Sequence, residues 1–361
     1  MRELAGGPDA TAARTHYRRA RANDKARRWN LAATAYEAAI AYDDAPADWH
    51  YRLGRVYERA HRSRAARRAY RTGLARTPNA TRLDHQLLAD NHRRFPARRR
   101  IARFVETHLD DIRARALESQ SVAATPPRVY VYWARGIDDA PPVVRRCHRE
   151  LLDHHAPEQV VVLDETSLPR YVDIPDDIRR KVGSNWIKLS DIIRLELLSN
   201  YGGVWIDATC LVRTGVLDVI TDLLPSGFFA FRRSSRWPAT WLLASEPNSD
   251  TIALWRQAQY TYWRHFDRPI DYYILHHIFE ALCHVDGEFR ARWEETPALS
   301  AQPAHAFKQA MHDPYEVGRF RFLLDGSFVH KLTYKRARYE EGSDTLLSRL
   351  VDCGPTADLA A

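Results

Sequence analysis

A chain of 361 residues, 45% hydrophobic and 11% aromatic, is long enough for two domains and apolar enough to bury a sizeable core. Four widely spaced cysteines (Cys147, Cys210, Cys283, Cys353) form no CxxC pair, which argues against a zinc knuckle or a disulfide framework and fits small core residues in a reducing compartment. The N-terminus is polar and no apolar run approaches the ~20 residues of a membrane span, so the expected location is cytoplasmic, soluble or peripheral to the inner face of the membrane.

Charge is distributed unevenly. Residues 1–120 carry 26 Lys and Arg against 14 Asp and Glu, an excess of +12, so the net charge of +8 leaves −4 for the remainder. Such asymmetry marks two regions with different surfaces. A basic helical region suits an acidic polymer or anionic acceptor, a protein partner or an anionic membrane surface, and its plainer reading is Arg usage on solvated helix faces; a nucleic-acid partner, resting on charge alone, is not expected.

Residues 1–12 show no period and are expected to be disordered. From there to 118 the pattern is helical and rich in Ala and Arg. Leu53, Gly54, Tyr57, Ala66, Tyr70, Gly73 and Pro78 resemble one tetratricopeptide repeat. A step of 34 residues back places Ala32, Tyr36 and Ala39 opposite Ala66, Tyr70 and Gly73. The expected N-terminal domain is therefore an all-α, tetratricopeptide-like domain over 13–118, a docking surface that carries no chemistry of its own.

A linker over 119–127 ends in Pro126-Pro127. Strand and helix patterns then alternate: Arg128–Trp133 as a strand, Pro141-Pro142 opening a helix to about His154, and Gln159–Leu163 as a second strand. Residues 186–201 follow as a helix, broken at Gly202-Gly203. A third strand, Val204–Ile206, ends on Asp207. The alternation predicts an α/β domain with a parallel sheet over 128–340, followed by a loose tail over 341–361. Further strand patterns lie at Phe228–Phe231 and Trp241–Ala244, and helical patterns at Thr251–Phe266 and Asp271–Leu282. Neither a GxGxxG after the first strand nor a GxxxxGK[ST] is present, so a Rossmann dinucleotide site and a P-loop are not expected.

Several blocks together point further: Val129–Gly136 (VYVYWARG), Pro141-Pro142 with Cys147, Ser190–Arg194 (SDIIR), Tyr201–Thr209 (YGGVWIDAT), Asp271–Tyr273 (DYY) and Val329–Lys335 (VHKLTYK). This set resembles the bacterial capsular polysaccharide synthesis proteins. These are similar to a wider group of glycosyltransferases with a DXD sugar-binding region, which includes yeast mannosyltransferases and the large clostridial glucosylating toxins. The resemblance covers about residues 126–340, and the SDxxR block followed by YGGVWxD is its most specific part.

The resemblance implies a GT-A fold and transfer of a sugar from a nucleotide-sugar donor to a growing surface polysaccharide or other glycan acceptor. It implies that Ser190, Asp191 and Arg194 hold the donor sugar and that Trp133 stacks on the base, with Gly203, Thr209 and Lys331 also on the donor. A divalent metal, Mn²⁺ or Mg²⁺, would be held by Asp207 with His330, or Asp207 would instead contact the donor ribose or sugar without metal, and Asp271 is a candidate base for the acceptor hydroxyl. In chemical terms, a carboxylate-held cation neutralises a departing diphosphate, and Arg offers a planar, permanently charged fork. The residue types also admit plainer readings: an i,i+3 ion pair for Asp191 and Arg194, a core Trp133, and a helix N-cap for Asp271. His276 and His277, adjacent on a helix, read as packing or acceptor-groove residues. One departure matters: Thr209 stands where the wider group has its second Asp. A non-catalytic repeat scaffold with a degenerate transferase-like half is the alternative that this departure favours.

Overall fold

The computed structural model describes residues 8–42, 45–118, 126–183, 185–335 and 339–353. The chain divides into two compact units at Phe104/Val105.

The first unit is helical: α1 (Pro8–Lys25), α2 (Trp29–Ile40), α3 (Ala47–Arg59), α4 (Ser63–Ala75), α5 (Arg82–Asp90) and α6 (Phe95–Thr107), the last running across the division. Residues 8–12, expected to be disordered, form the start of α1; residues 1–7 lie outside the described residues. The positions related by 34 residues are all buried: Ala32, Tyr36 and Ala39 in α2, Ala66, Tyr70 and Gly73 in α4. Small residues are required beside the tyrosines: a Cβ on Gly73 would sit 2.9 Å from the Tyr51 ring. A Cβ on Gly54 would sit 2.3 Å from the Tyr70 ring, so α3 and α4 approach closely only with glycine there. Tyr17 stacks on Trp49 at 4.5 Å between centroids, holding α1 to α3.

The second unit contains α7 (Leu109–Glu118), β1 (Val129–Tyr132), α8 (Pro142–Asp153), β2 (Val160–Leu163), α9 (Asp176–Val182), α10 (Trp186–Tyr201), β3 (Gly203–Ile206), β4 (Cys210–Val212), α11 (Val216–Thr221), β5 (Phe228–Ser234) and β6 (Trp237–Ser245). It continues through α12 (Asp250–His265), α13 (Ile274–Val285), α14 (Gly287–Glu295), α15 (Gln302–Ala310), α16 (Val317–Asp325), β7 (Val329–Lys331) and α17 (Leu346–Asp352). The helical domain expected to extend to 118 gives up α7 to this unit. Arg113 of α7 donates to Asp286, the N-cap of α14, at 3.0 Å, and His108 meets His265 edge-on. Of the expected linker, 119–127, residues 119–125 lie outside the described residues.

Five strands form one sheet in the order β2-β1-β3-β6-β5. The expected parallel sheet is mixed: β2, β1 and β3 are parallel, whereas β6 runs antiparallel to both of its neighbours, β3 and β5. The reason lies in connection length. β3 reaches β6 after a β4–α11–β5 excursion, and β5 returns to β6 by a tight hairpin, which only an antiparallel pair permits. Each face of β3 is covered. Val204 and Ile206 join an apolar layer with Val131, Leu151, Val216, Phe229 and Ala304. Trp205 faces the other way, toward α10. β4 pairs with β7 in a separate two-stranded ribbon. The tail expected to be loose contains α17, whose Leu346, Leu347 and Leu350 are fully buried against Leu211, Phe307 and Phe320; residues 354–361 lie outside the described residues.

The turn from α10 to β3 uses two glycines with positive φ, Gly202 at +65° and Gly203 at +84°. A Cβ on Gly203 would lie 2.4 Å from the Arg128 carbonyl oxygen at the start of β1. Gly203 was expected to meet the donor; its role is instead to let β3 enter the sheet beside β1. It sits at the amino end of β3, roughly 13 Å of strand away from Asp207. Gly203→Ala should therefore destabilise the protein by about 2 kcal/mol or more through strain and clash together, seen as a lowered midpoint in denaturant unfolding. An unchanged midpoint would show that the turn tolerates a side chain.

Candidate functional site

The strand order fixes where a site can form. From β1 the chain goes to β2 on one side of it, then returns to β3 on the other. In an open α/β sheet, the crevice at the carboxyl ends of two strands whose connections diverge in this way is where ligands bind. Here that crevice lies between the ends of β1 and β3. Trp133 follows β1 and Asp207 follows β3.

Asp207 is held firmly. Its backbone N–H donates to the Trp241 carbonyl at 2.8 Å and its carbonyl accepts from Cys210 at 2.9 Å. Its carboxylate meets three donors: Trp205 Nε1 at 3.1 Å on Oδ1, Lys331 Nζ at 2.8 Å on Oδ2, and Arg194 Nη2 at 3.5 Å. Burial pushes this carboxyl up, but Lys331 and Arg194 outweigh it and hold it below the usual carboxylate range. Lys331 shows the reciprocal effect: burial lowers its ammonium, Asp207 more than restores it, and the net shift is upward. The pair is therefore ionised throughout the neutral range.

Arg194 is the hub. It projects from α10, is 5% exposed, and spends Nε on the Ser190 carbonyl at 3.0 Å and Nη1 on the Thr240 carbonyl of β6 at 2.5 Å. Its Nη2 reaches the Ser190 hydroxyl at 3.0 Å and both Asp191 and Asp207 at 3.5 Å. The guanidinium lies over the Trp205 ring at 5.1 Å. Asp191 also pairs with Lys188 Nζ at 3.2 Å, yet burial dominates and raises its pKa. The expected i,i+3 pair is thus real, but it forms part of a five-membered cluster: Lys188, Asp191, Arg194, Asp207 and Lys331.

Lys188 ties this cluster to a loop. Its Nζ donates to the Tyr272 carbonyl at 2.6 Å and lies 5.2 Å from the Tyr272 ring centre. Asp271, expected on a helix, is in a turn before α13: Oδ1 accepts from the Tyr273 N–H at 2.7 Å and Oδ2 from His277 Nε2 at 3.1 Å. Tyr272 is 60% exposed, and burial followed by Asp191 and Asp207 raises its phenol pKa. His276 is buried beneath this turn against Trp237, its ring centroid 5.2 Å away, and burial lowers its pKa well below the ordinary value.

β7 supplies the last wall. Lys331 Nζ bonds the Thr209 hydroxyl at 2.6 Å as well as Asp207, and Leu332 N–H donates to the Thr209 carbonyl at 2.8 Å. Two residues further on, Tyr334 meets Trp133 edge-on at 5.2 Å, closing the β1 side of the crevice. Trp133 is half-buried there.

His330 was expected to join Asp207 as a metal ligand, and the structure corrects this. Neighbouring residues on a strand point to opposite faces. Lys331 faces Asp207, so His330 turns inward: it is fully buried, beside Phe307, and its Nε2 donates to the Leu324 carbonyl at 2.9 Å. A divalent cation held by the protein does not fit the residues that remain. The space between Asp207 and position 209 holds the Lys331 ammonium, with Arg194 beside it, and among the described residues no group of three or more His, Cys, Asp and Glu could take a metal.

One residue of the cluster, Lys188, and one that contacts it, Tyr272, were missed in the sequence. Lys188 lies one helical turn before Asp191 on the apolar-patterned α10, and its spacing was a usable signal. Tyr272 sits inside the DYY block that was singled out only for its Asp. Glu196, also buried on α10, belongs elsewhere: it pairs with Arg256 at 3.4 Å and accepts from Tyr260.

Fold and cluster together define an α/β protein with a cation-rich polar crevice at a switch point of its sheet. The family model described as capsular polysaccharide synthesis protein matches residues 85–350. The chain belongs to the capsular polysaccharide synthesis protein family. Comparison with curated proteins and with solved structures gave no match. Among the described residues, no helix is long and apolar enough to cross a membrane.

The cluster should be visible in stability as a function of pH. Because the Asp207 carboxyl is lowered, its ionised form stabilises the native state above the ordinary carboxylate range, and this is lost as pH falls through the lowered native value. Asp191, raised by burial, has the opposite sign and stays in place. Asp207→Asn should therefore flatten the acid limb of the Tm–pH curve and lower Tm at neutral pH, corresponding to about 1–3 kcal/mol for cations left short of a partner. An acid limb identical to that of the wild type would contradict the assignment.

Proposed function

We propose that this protein is a glycosyltransferase of GT-A type, taking a nucleotide-sugar donor in the crevice between β1 and β3 and moving the sugar to a growing capsular or other cell-surface polysaccharide. The observation that carries this reading is the charge of the cluster: three cations (Lys188, Arg194, Lys331) against two carboxylates (Asp191, Asp207). The excess positive charge, at the place where an α/β sheet receives ligands, suits an anionic diphosphate.

Roles follow from exposure. Arg194 and Asp191 are nearly buried and position the others. Asp207 and Lys331, with side chains 26% and 17% exposed, face the crevice. An ammonium has three N–H donors. Lys331 uses one on Asp207 and one on Thr209, and the third has no partner among the described residues. That third donor is suited to a phosphate oxygen of the donor. As the bond from the sugar C1 to the phosphate oxygen breaks, negative charge grows on the diphosphate, and a fixed ammonium stabilises it without reorganisation. Thr209 in place of an Asp is then consistent with activity: a hydroxyl accepts from Lys331 without cancelling its charge. Trp133 and Tyr334 form an aromatic wall for the base. Asp271, at the rim and bonded to His277, would take the proton of the acceptor hydroxyl as its oxygen attacks C1.

In a transfer assay with the donor identified by screening, Lys331→Ala should lower kcat by about 10²–10³. Asp271→Asn should lower kcat by about 10² or more while leaving donor affinity intact. Near-normal rates in both variants would refute these roles. A second test inverts the cation's identity. The double variant Thr209→Asp/Lys331→Ala recreates two carboxylates around an open position and should bind Mn²⁺, detected by electron paramagnetic resonance, where the wild type does not. Equal Mn²⁺ binding by both would show that Lys331 does not occupy the cation position.

A further inference from the structure

Outside the crevice, the first unit contains a cleft of about 760 Å³, within the size range of ligand sites. It is lined by Arg18, Arg21, Lys25, Arg27, Arg52 and Arg59 around Trp29, with Asp24 as its one carboxylate. The family match begins at residue 85, so α1 to α4 lie outside it and the cleft is an addition to the family's own region.

Arg18, Arg21 and Lys25 lie at i, i+3 and i+7 on α1, a single row about 10 Å long. Like charges at such spacings oppose helix formation, and all three side chains are exposed. Among the described residues, no carboxylate forms an ion pair with Arg18, Arg21, Lys25 or Arg27. The two arginines that α3 contributes to the cleft are oriented from within the unit: Arg59 Nη1 bonds Asp24 at 2.5 Å and lies over Trp29 at 5.1 Å, and Arg52 Nε bonds Asp48 at 2.7 Å. The cleft thus joins a row of cations to a half-buried indole.

We propose that this cleft binds a segment of an anionic polysaccharide, a chain bearing carboxylate or phosphate groups. The cations meet the acidic groups, and Trp29 offers an apolar face to the C–H face of a pyranose ring. The arginines alone would serve a bilayer surface or an acidic peptide equally; the indole set among them favours a polymer of sugar rings. The choice of a glycan rests on the transferase reading of the other unit, and the cleft would retain the polymer being built.

Titration calorimetry on the full chain at low salt tests this with four probes: alginate oligomers, neutral dextran, poly-L-glutamate and phosphatidylglycerol vesicles. Alginate is expected to bind most tightly and dextran not at all, with affinity falling as salt rises. The exposed double variant Arg18→Ser/Arg21→Ser should lose at least tenfold for alginate. Trp29→Leu, or Trp29→Phe if the first does not fold, should weaken alginate by several-fold and leave polyglutamate unchanged. Absence of alginate binding, equal or tighter binding of polyglutamate or vesicles, or indifference to these variants would overturn the proposal. Nucleotide-sugar binding, measured on the same proteins, should be unaffected. Its absence from the wild type would refute the transferase reading while leaving the alginate result to stand or fall separately.

Discussion

The interaction on which the second unit depends is the guanidinium of Arg194. It is tied to the Ser190 carbonyl on its own helix and the Thr240 carbonyl on β6, lies over Trp205 of β3, and faces the carboxylates of Asp191 and Asp207. A buried charge is tolerable only when paired and hydrogen-bonded. Arg194 meets that condition by drawing α10, β3 and β6 together, and the same requirement places Asp207 at the mouth of the crevice. Sheet geometry and site chemistry are therefore one constraint. Where Asp207 emerges, the fold needs a second cation, and Lys331 arrives from β7 to provide it.

Much of the second unit was legible in the sequence, for identifiable reasons. α10 could be read because its apolar positions repeat, and β1 and β3 because short apolar runs end in glycine or a lone carboxylate. The Gly202-Gly203 turn could be read because only glycine takes those angles. The direction of β5 and β6 was not legible, since their apolar runs read the same whichever way they pair. Nor was the side of β7 that faces the crevice. His330 and Lys331 are adjacent, and which one turns toward Asp207 depends on register with β4, which pairs Leu211 with His330. A one-residue difference of that kind reverses every side chain on a strand, and it converts an expected metal ligand into a core histidine.

The two units illustrate different uses of positive charge. In the second, Lys188 and Arg194 are buried, Lys331 is half-buried, and each is paired with a carboxylate, leaving a small excess in a confined place. In the first, the cations of α1 stand exposed in a row, beside an aromatic floor. The former arrangement suits a compact diphosphate and the latter an extended polyanion. Arg-rich composition alone could not separate them, because solvated helix faces and ligand-binding rows use the same residues.

The central claim is that the Lys331 ammonium holds the cationic position of a donor site at the β1–β3 crevice. Calorimetric titration of a nucleotide-sugar panel into protein stripped with EDTA, comparing wild type with Lys331→Met, tests it most directly. The account predicts that at least one donor binds the wild type without added metal and that the Met variant loses affinity by tenfold or more. Donor binding that appears only on adding Mn²⁺ or Mg²⁺, and is indifferent to residue 331, would contradict it.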